Sequence, residues 1–122
     1  ESEEYAQAAE LFEGMAEASA SDAIRKYAVK DFLLRAGLCR LCLDDVVGAK
    51  KAIDRYSTLD GSFGASKEFV FLNEIVACLE NGDADQFTEI VSKWDRTNAV
   101  DEWKTRVLLR LKRHMEAEPS LT

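Results

Sequence analysis

Apolar residues recur at steps of three and four along nearly the whole chain, and this helical period constrains its fold more than any other feature of the sequence. Residues 3–18 place Tyr5, Ala8, Phe12 and Met15 on one side of a helix whose other side is acidic. No segment shows the alternation of a half-buried strand, and the chain contains only one Pro and six Gly. The sequence therefore predicts an all-α protein.

Polar and glycine-containing breaks divide the chain into six predicted helices. Asp44 and Asp45 are candidate caps of the third helix, and Asp83 with Gln86 resembles a capping box for the fifth. Gly82, after Asn81, predicts a left-handed end for the fourth. The helices are predicted at 3–18, about 23–43, 46–59, about 66–80, after Asp83, and from the Asn98 and Asp101 cap to before Pro119.

A degenerate internal repeat favours a solenoid over a closed bundle. The repeated pattern is Ala49-x-x-Ala52-Ile53-x-x-Tyr56 and Phe87-x-x-Ile90-Val91-x-x-Trp94. Gly37 precedes Ala49 at the spacing of the small-residue pair of a TPR unit, although the period of about 40 residues exceeds the usual value of about 34. We predict one domain over residues 1–122, in which TPR-like antiparallel helix pairs form a right-handed solenoid that ends in a small helical bundle.

The chain is acidic, with a formal net charge of -7, so the molecule as a whole repels nucleic acid and anionic lipid. We expect no nucleic-acid partner. No apolar run approaches the roughly 20 residues of a membrane-spanning helix, and the amino terminus lacks a signal pattern, which indicates a cytosolic protein. Because residues 1–19 read as the interior of a helix without a preceding cap, we expect the chain to begin inside a longer protein.

Residues that could carry chemistry are sparse. Cys39 and Cys42 have a C-x-x-C spacing, but they lie mid-helix and lack a second pair for zinc, so they are predicted to be reduced thiols packed in the core. His114 has no Cys or carboxylate at ligand spacing and is predicted to be exposed at a helix end. No Ser-His-Asp set, phosphate-binding Gly loop or carboxylate pair is present, so we predict neither catalytic residues nor a cofactor nor a metal site.

The last predicted helix is basic and leaves two interpretations open. Its cations are Lys104, Arg106, Arg110, Lys112 and Arg113. They form either a solvated face, which the favourable position of cations near a helix carboxyl terminus supports, or a contact surface for lipid, nucleic acid or an acidic partner. Trp94 and Trp103 fall on the apolar sides of their helices and are predicted to belong to the core.

One long segment resembles a known family. Residues 26–44, KYAVKDFLLRAGLCRLCLD, are similar to the KYxAKDxxxxAxLCxxCxD segment of the soluble NSF attachment proteins. Further similar features follow in the same order at about the same spacing: Val47-Gly-Ala-Lys50, Asp85-Gln-Phe-Thr-Glu89, Leu109-Arg-Leu-Lys112 and the penultimate Leu121. The resemblance extends over essentially the whole chain. It implies that the chain corresponds to the carboxyl-terminal, TPR-like part of a member of this family.

The resemblance implies an adaptor that coats the assembled SNARE four-helix complex and recruits and stimulates the hexameric NSF ATPase during vesicle trafficking. Lys30 and Lys67 correspond to SNARE contacts, the second at a position where the family tends to carry Arg. Asp44, Glu80 and Leu121 correspond to NSF contacts. Such an adaptor is cytoplasmic and associates peripherally, through SNAREs, with vesicle, Golgi and endoplasmic-reticulum membranes.

Two other functions remain open from the residues alone. A generic TPR scaffold would bind a short peptide or partner helix in its groove. An acidic structural subunit of a larger complex would lack a nucleotide-dependent partner. Asp44 and Asp45 also serve equally well as plain helix caps, and Leu121 as a plain tail residue.

Overall fold

A computed structural model describes residues 2–117, and these residues form six α-helices without a strand, which confirms the all-α prediction. The helices are α1 (Ser2–Ala20), α2 (Val29–Leu41), α3 (Val46–Leu59), α4 (Lys67–Asn81), α5 (Ala84–Thr97) and α6 (Glu102–Ala117). Two short 3₁₀ helices, Lys26–Ala28 and Phe63–Ala65, precede α2 and α4.

The second helix begins later than predicted. We expected it from about residue 23, but a turn precedes the 3₁₀ helix and α2 starts at Val29. The Asp22 carboxylate accepts a hydrogen bond from the backbone N–H of Ile24 at 2.9 Å and so stabilises a turn in place of a first helical turn. Tyr27, in the 3₁₀ helix that precedes α2, is 84% exposed.

Aspartate side chains cap the starts of α3, α5 and α6. Asp45 accepts from the N–H of Gly48 and Asp83 from that of Gln86, as predicted, whereas Asp44 caps nothing and has a positive φ of 59°. Gly82 ends α4 at φ 64°, the predicted left-handed terminator. The α6 cap is Asp101, which accepts from the N–H of Lys104.

Asn98 was predicted to share in capping α6, and this was wrong. Its side-chain amide instead donates to the carbonyl of Trp94 at the end of α5. The backbone N–H of Asn98 donates to the same carbonyl, so Asn98 belongs to the end of α5.

One continuous core joins the helices. Gly37 lies where α2 crosses α4, and a Cβ at that position would approach Leu72 Cδ1 to 2.7 Å. The predicted need for a small residue at position 37 is thus confirmed. Cys39 is fully buried, Cys42 partly so, and both Trp94 and Trp103 are partly buried against the core.

Helices α2, α3 and α4 all pack on one another, and α3 runs antiparallel to the other two; we call this group the α2–α4 layer. Lys30, in the first turn of α2, reaches Ser62 just beyond the end of α3. Lys50, in the first turns of α3, reaches Glu80 at the end of α4. The layer therefore has two ends: one where α2 and α4 begin, and one where they finish.

The last helix returns to the start of the fold. A simple solenoid packs each helix only on its immediate neighbours, but α6 contacts α2 as well as α5. Trp103 packs edge to face on Phe12 of α1, and Arg110 lies over the ring of Tyr5. This return gives the bundle-like end that the sequence predicted.

Candidate functional site

Four of the five predicted contact residues lie at two separate places. The fifth, Leu121, lies outside the described residues. Lys30 and Lys67 are at the end of the layer where α2 and α4 begin, which we call the lysine end. Asp44 and Glu80 are at the opposite end, where α2 and α4 finish, which we call the carboxylate end. The antiparallel order of α2, α3 and α4 thus keeps the two predicted surfaces apart.

Lys30 is held by the connection that follows α3. Its Nζ donates to Ser62 Oγ at 2.8 Å, and Ser62 Oγ donates in turn to Asp60 Oδ1 at 2.8 Å. A cavity of about 380 Å³ adjoins this lysine, and Lys26, Tyr27 and Leu59 also line it. An ammonium with a single neutral oxygen partner keeps hydrogen-bonding capacity for an external acid.

Lys67 is exposed in the first turn of α4 and lies beside an aromatic ring. Its Nζ is 5.9 Å from the centroid of Trp94, which itself stacks on Phe71 at 4.4 Å. Cation–π contacts at exposed sites are weak, about 0.5–1 kcal/mol, but they orient a long side chain. The lysine is thus partly preorganised on the outside of the molecule.

Asp44 occupies the bend between α2 and α3 in a left-handed conformation, and its side chain is 71% exposed. Its Oδ1 lies 2.6 Å from Nε2 of His114 near the end of α6. His114 is exposed, as predicted, but it has a carboxylate partner that sequence spacing did not reveal. The pair lines a cavity of about 400 Å³ with Arg110 and Arg113.

Glu80 is half-exposed in the last turn of α4. Its Oε2 lies 3.4 Å from Nζ of Lys50. Both predicted carboxylates therefore contact a cationic or basic side chain of this chain. The sequence did not single out Lys50, since only antiparallel packing of α3 against α4 brings the two residues together.

The predicted basic face of α6 is less uniform than expected. Lys104 is only 7% exposed, and its Nζ lies 2.5 Å from Asp31 Oδ1. Arg35 binds the same carboxylate at 2.8 Å and also pairs with Asp101. Neither open interpretation, a solvated face or a contact surface, applies to Lys104, because its side chain is buried and pairs with Asp31 of α2.

These contacts set the pKa of the Asp31 carboxyl. Partial burial raises that pKa. Hydrogen bonds and charge attraction from Lys104 and Arg35 lower it by a larger amount, so the pKa lies below its ordinary value. A charged carboxylate shared by two cations on two helices is a structural contact rather than a free binding group.

A second polar cluster joins α1, α2 and α3. Arg40 donates two hydrogen bonds to Glu13, at 3.0 and 2.8 Å, and Tyr56 donates to the same carboxylate. Burial raises the pKa of Glu13, but the hydrogen bonds from Arg40 and Tyr56 outweigh this effect and lower it. Burial, with the neighbouring Glu13, raises the pKa of Tyr56.

The thiols fit structural packing. Burial raises the pKa of Cys39 to about 12 and that of Cys42 to about 11, which disfavours the nucleophilic thiolate. In residues 2–117 no three His, Cys, Asp or Glu side chains form a group that could hold a metal ion. In the same range no helix has the length and apolar character needed to cross a bilayer.

Comparison with known proteins finds one matching family. The family model described as "Soluble NSF attachment protein, SNAP" matches residues 1–116. No solved structure gave a significant match.

Curated relatives come from distant eukaryotes. The chain is 36% identical to the alpha-soluble NSF attachment protein of Vitis vinifera, over 95% of the chain and 40% of the relative. It is 35% identical to a vesicular-fusion protein of Coprinopsis cinerea, over 100% of the chain and 42% of the relative. It is 29% identical to the human alpha-soluble NSF attachment protein, over 95% and 39%. The chain thus spans about two-fifths of the length of these relatives.

Proposed function

Since the chain belongs to the soluble NSF attachment protein family, we propose that it is a non-enzymatic adaptor that binds assembled SNARE complexes and recruits and stimulates the NSF ATPase. Residues 1–122 would then be the carboxyl-terminal helical domain of this adaptor. The role is in vesicle fusion, in keeping with the relative from Coprinopsis cinerea that is named a vesicular-fusion protein.

The observation that supports this proposal best is the separation of the lysine end from the carboxylate end. An adaptor between a substrate and a motor needs two binding surfaces that both remain accessible when the other is occupied. Lys30 and Lys67 lie at one end of the α2–α4 layer, and Asp44 and Glu80 at the other. All four side chains lie outside the core.

The lysine end is the proposed SNARE surface. Lys30 and Lys67 carry fixed positive charge on a chain whose net charge is -7, so an acidic partner is drawn to this end rather than to the molecule as a whole. Exposed charge pairs of this kind steer orientation and association rate more than they add affinity. The SNARE four-helix complex is the acidic partner that we propose.

The carboxylate end and the tail are the proposed NSF surface. Asp44 and Glu80 offer carboxylates to basic groups, and Leu121 offers an apolar side chain to a pocket. Leu121→Ala in the full-length protein should leave SNARE binding intact and lower stimulation of ATP hydrolysis. Equal stimulation by variant and parent would remove Leu121 from the proposal while leaving the two charged ends untouched.

We propose a cytoplasmic protein that reaches vesicle, Golgi and endoplasmic-reticulum membranes peripherally, through SNAREs. Neither a cofactor nor nucleic acid is part of the proposed activity.

A pull-down from cell extract tests the proposed partners. The full-length protein is immobilised, and bound proteins are compared with and without hydrolysable ATP. Recovery of SNAREs together with NSF, with NSF released when ATP is hydrolysed, is the expected result. Recovery of a chaperone or an unrelated tail peptide without SNAREs would instead support a generic TPR scaffold, and recovery of a nucleotide-insensitive complex would support a structural subunit.

A further inference from the structure

Each carboxylate of the carboxylate end is already engaged by a basic residue of the same chain. Lys50 Nζ lies 3.4 Å from Glu80 Oε2, and His114 Nε2 lies 2.6 Å from Asp44 Oδ1. The first pair connects α3 to α4 and the second connects the α2–α3 bend to α6, so neither follows from local i,i+4 spacing. The surface is therefore partly neutralised before any partner arrives.

Both pairs lie in water. The side chains of Lys50, Glu80 and His114 are about half exposed, and that of Asp44 is 71% exposed. Exposed ion pairs are weak, because water screens the charges and two side chains lose conformational freedom. These contacts are thus too weak to be needed for folding, but they are strong enough to compete with a partner's cation for the same oxygen.

We propose that Lys50 and His114 are internal competitors that limit how tightly the carboxylate end binds a basic protein surface. A partner's Arg or Lys must displace Lys50 from Glu80, or His114 from Asp44, before it gains a full ion pair. This inference rests on the proposed function, which assigns the carboxylate end to NSF. It adds that binding strength is set by two basic residues that themselves touch no partner.

Other side chains surround the contact at Asp44. The groups near His114 are Asp44 from the α2–α3 bend, Arg110 and Arg113 from α6 itself, and Cys42 at the end of α2.

A matched pair of lysines tests the Glu80 half. Lys50→Gln and Lys51→Gln remove the same charge from adjacent positions of α3, but only Lys50 contacts Glu80, and Lys51 is exposed. Binding of the full-length variants to NSF on immobilised SNARE complex is measured by titration. We expect Lys50→Gln to tighten binding by about two- to fivefold and Lys51→Gln to change it by less than half as much.

A double-mutant cycle excludes a general charge effect. In a Glu80→Gln background, Lys50→Gln should no longer tighten binding. Equal gains from Lys50→Gln and Lys51→Gln, or a gain that persists without Glu80, would overturn the inference for this pair.

His114→Ala removes the side chain that contacts Asp44. It should tighten binding by about two- to fivefold, and it should have no such effect in an Asp44→Asn background. A gain from His114→Ala that persists in the Asp44→Asn background would overturn the inference for Asp44. If the parent protein does not retain NSF at all, the proposed function fails instead, and the two failures are distinguishable.

Discussion

Lys104 Nζ and Asp31 Oδ1 lie 2.5 Å apart, although the two residues are separated by 73 positions in the chain. This ion pair fastens α6 to α2 and thereby holds the last helix against the start of the fold. Because Lys104 is nearly buried and Asp31 is not, the lysine stem adds apolar packing to the charge contact.

Replacing Lys104 should weaken the packing of α6 on α2. Lys104→Ala removes the packed stem and leaves Asp31 with Arg35 as its remaining partner, so the free energy of unfolding should fall by about 1–3 kcal/mol. Lys112→Ala on the same helix is the matched control and should change it by less than about 0.5 kcal/mol. Urea denaturation followed by circular dichroism measures both variants. Equal losses of unfolding free energy would contradict the structural role of the Lys104 side chain.

Substitution by alanine should have opposite effects at Gly37 and Gly14, because of the two only Gly37 lies where α2 and α4 approach closely. Gly37→Ala places a methyl group 2.7 Å from Leu72 Cδ1 and should destabilise the protein by about 1–2 kcal/mol despite the better helix propensity of alanine. Gly14→Ala, with nothing within 4 Å, should stabilise it by about 0.5–1 kcal/mol. Thermal unfolding separates the two, and a shift of the same sign for both would be inconsistent with this packing.

The Glu13 carboxylate predicts a pH dependence of stability. Its pKa in the folded protein is below the ordinary value of 4.5, so the stability it contributes is complete above that pH and is lost as pH falls through the lower, folded-state pKa. Glu13→Gln should therefore unfold more readily than the parent at neutral pH and lose less stability on acidification. Glu10→Gln, at an exposed position of α1, is the control, and urea midpoints from about pH 7 to about pH 3 provide the measurement. A parent and a Glu13→Gln variant with parallel profiles would refute the assignment.

Charge reversal at the lysine end should weaken SNARE binding in a salt-dependent way. Lys30→Glu is expected to lower affinity by about tenfold at low ionic strength and less at high salt, because screening reduces the effect of an exposed charge. Lys93→Glu makes the same charge change on the exposed side of α5 and should have little effect. Binding to an immobilised SNARE complex at several salt concentrations checks this, and equal losses from both variants would remove Lys30 from the interface.

Much of the fold was accessible from local signals. The helical period located all six helices, and Asp45, Asp83 and Gly82 marked helix ends, because side-chain caps and left-handed terminators act within a few residues. Long-range packing was not accessible in this way. Phe63 lies in a connection between two glycines and reads as a loop residue, yet it is fully buried, with its ring packed edge to face on Tyr56 and Phe69.

The same difference between local signals and long-range packing applies to the candidate site. The family resemblance supplied Lys30, Lys67, Asp44 and Glu80, and the structure added what each contacts. Lys50 and His114 were missed because their partners lie 30 positions away in the first case and across the returning α6 in the second. Such pairs depend on helix order and crossing, which no short motif encodes.

Stimulation of NSF tests the central claim most directly. Purified NSF is assayed for ATP hydrolysis on an immobilised SNARE complex, with and without the full-length protein. The account predicts that the protein retains NSF on the complex and raises its ATPase rate, and that Asp44→Lys with Glu80→Lys abolishes both effects while SNARE binding persists. An ATPase rate unchanged by the unmodified protein, with SNARE binding absent, would contradict the account.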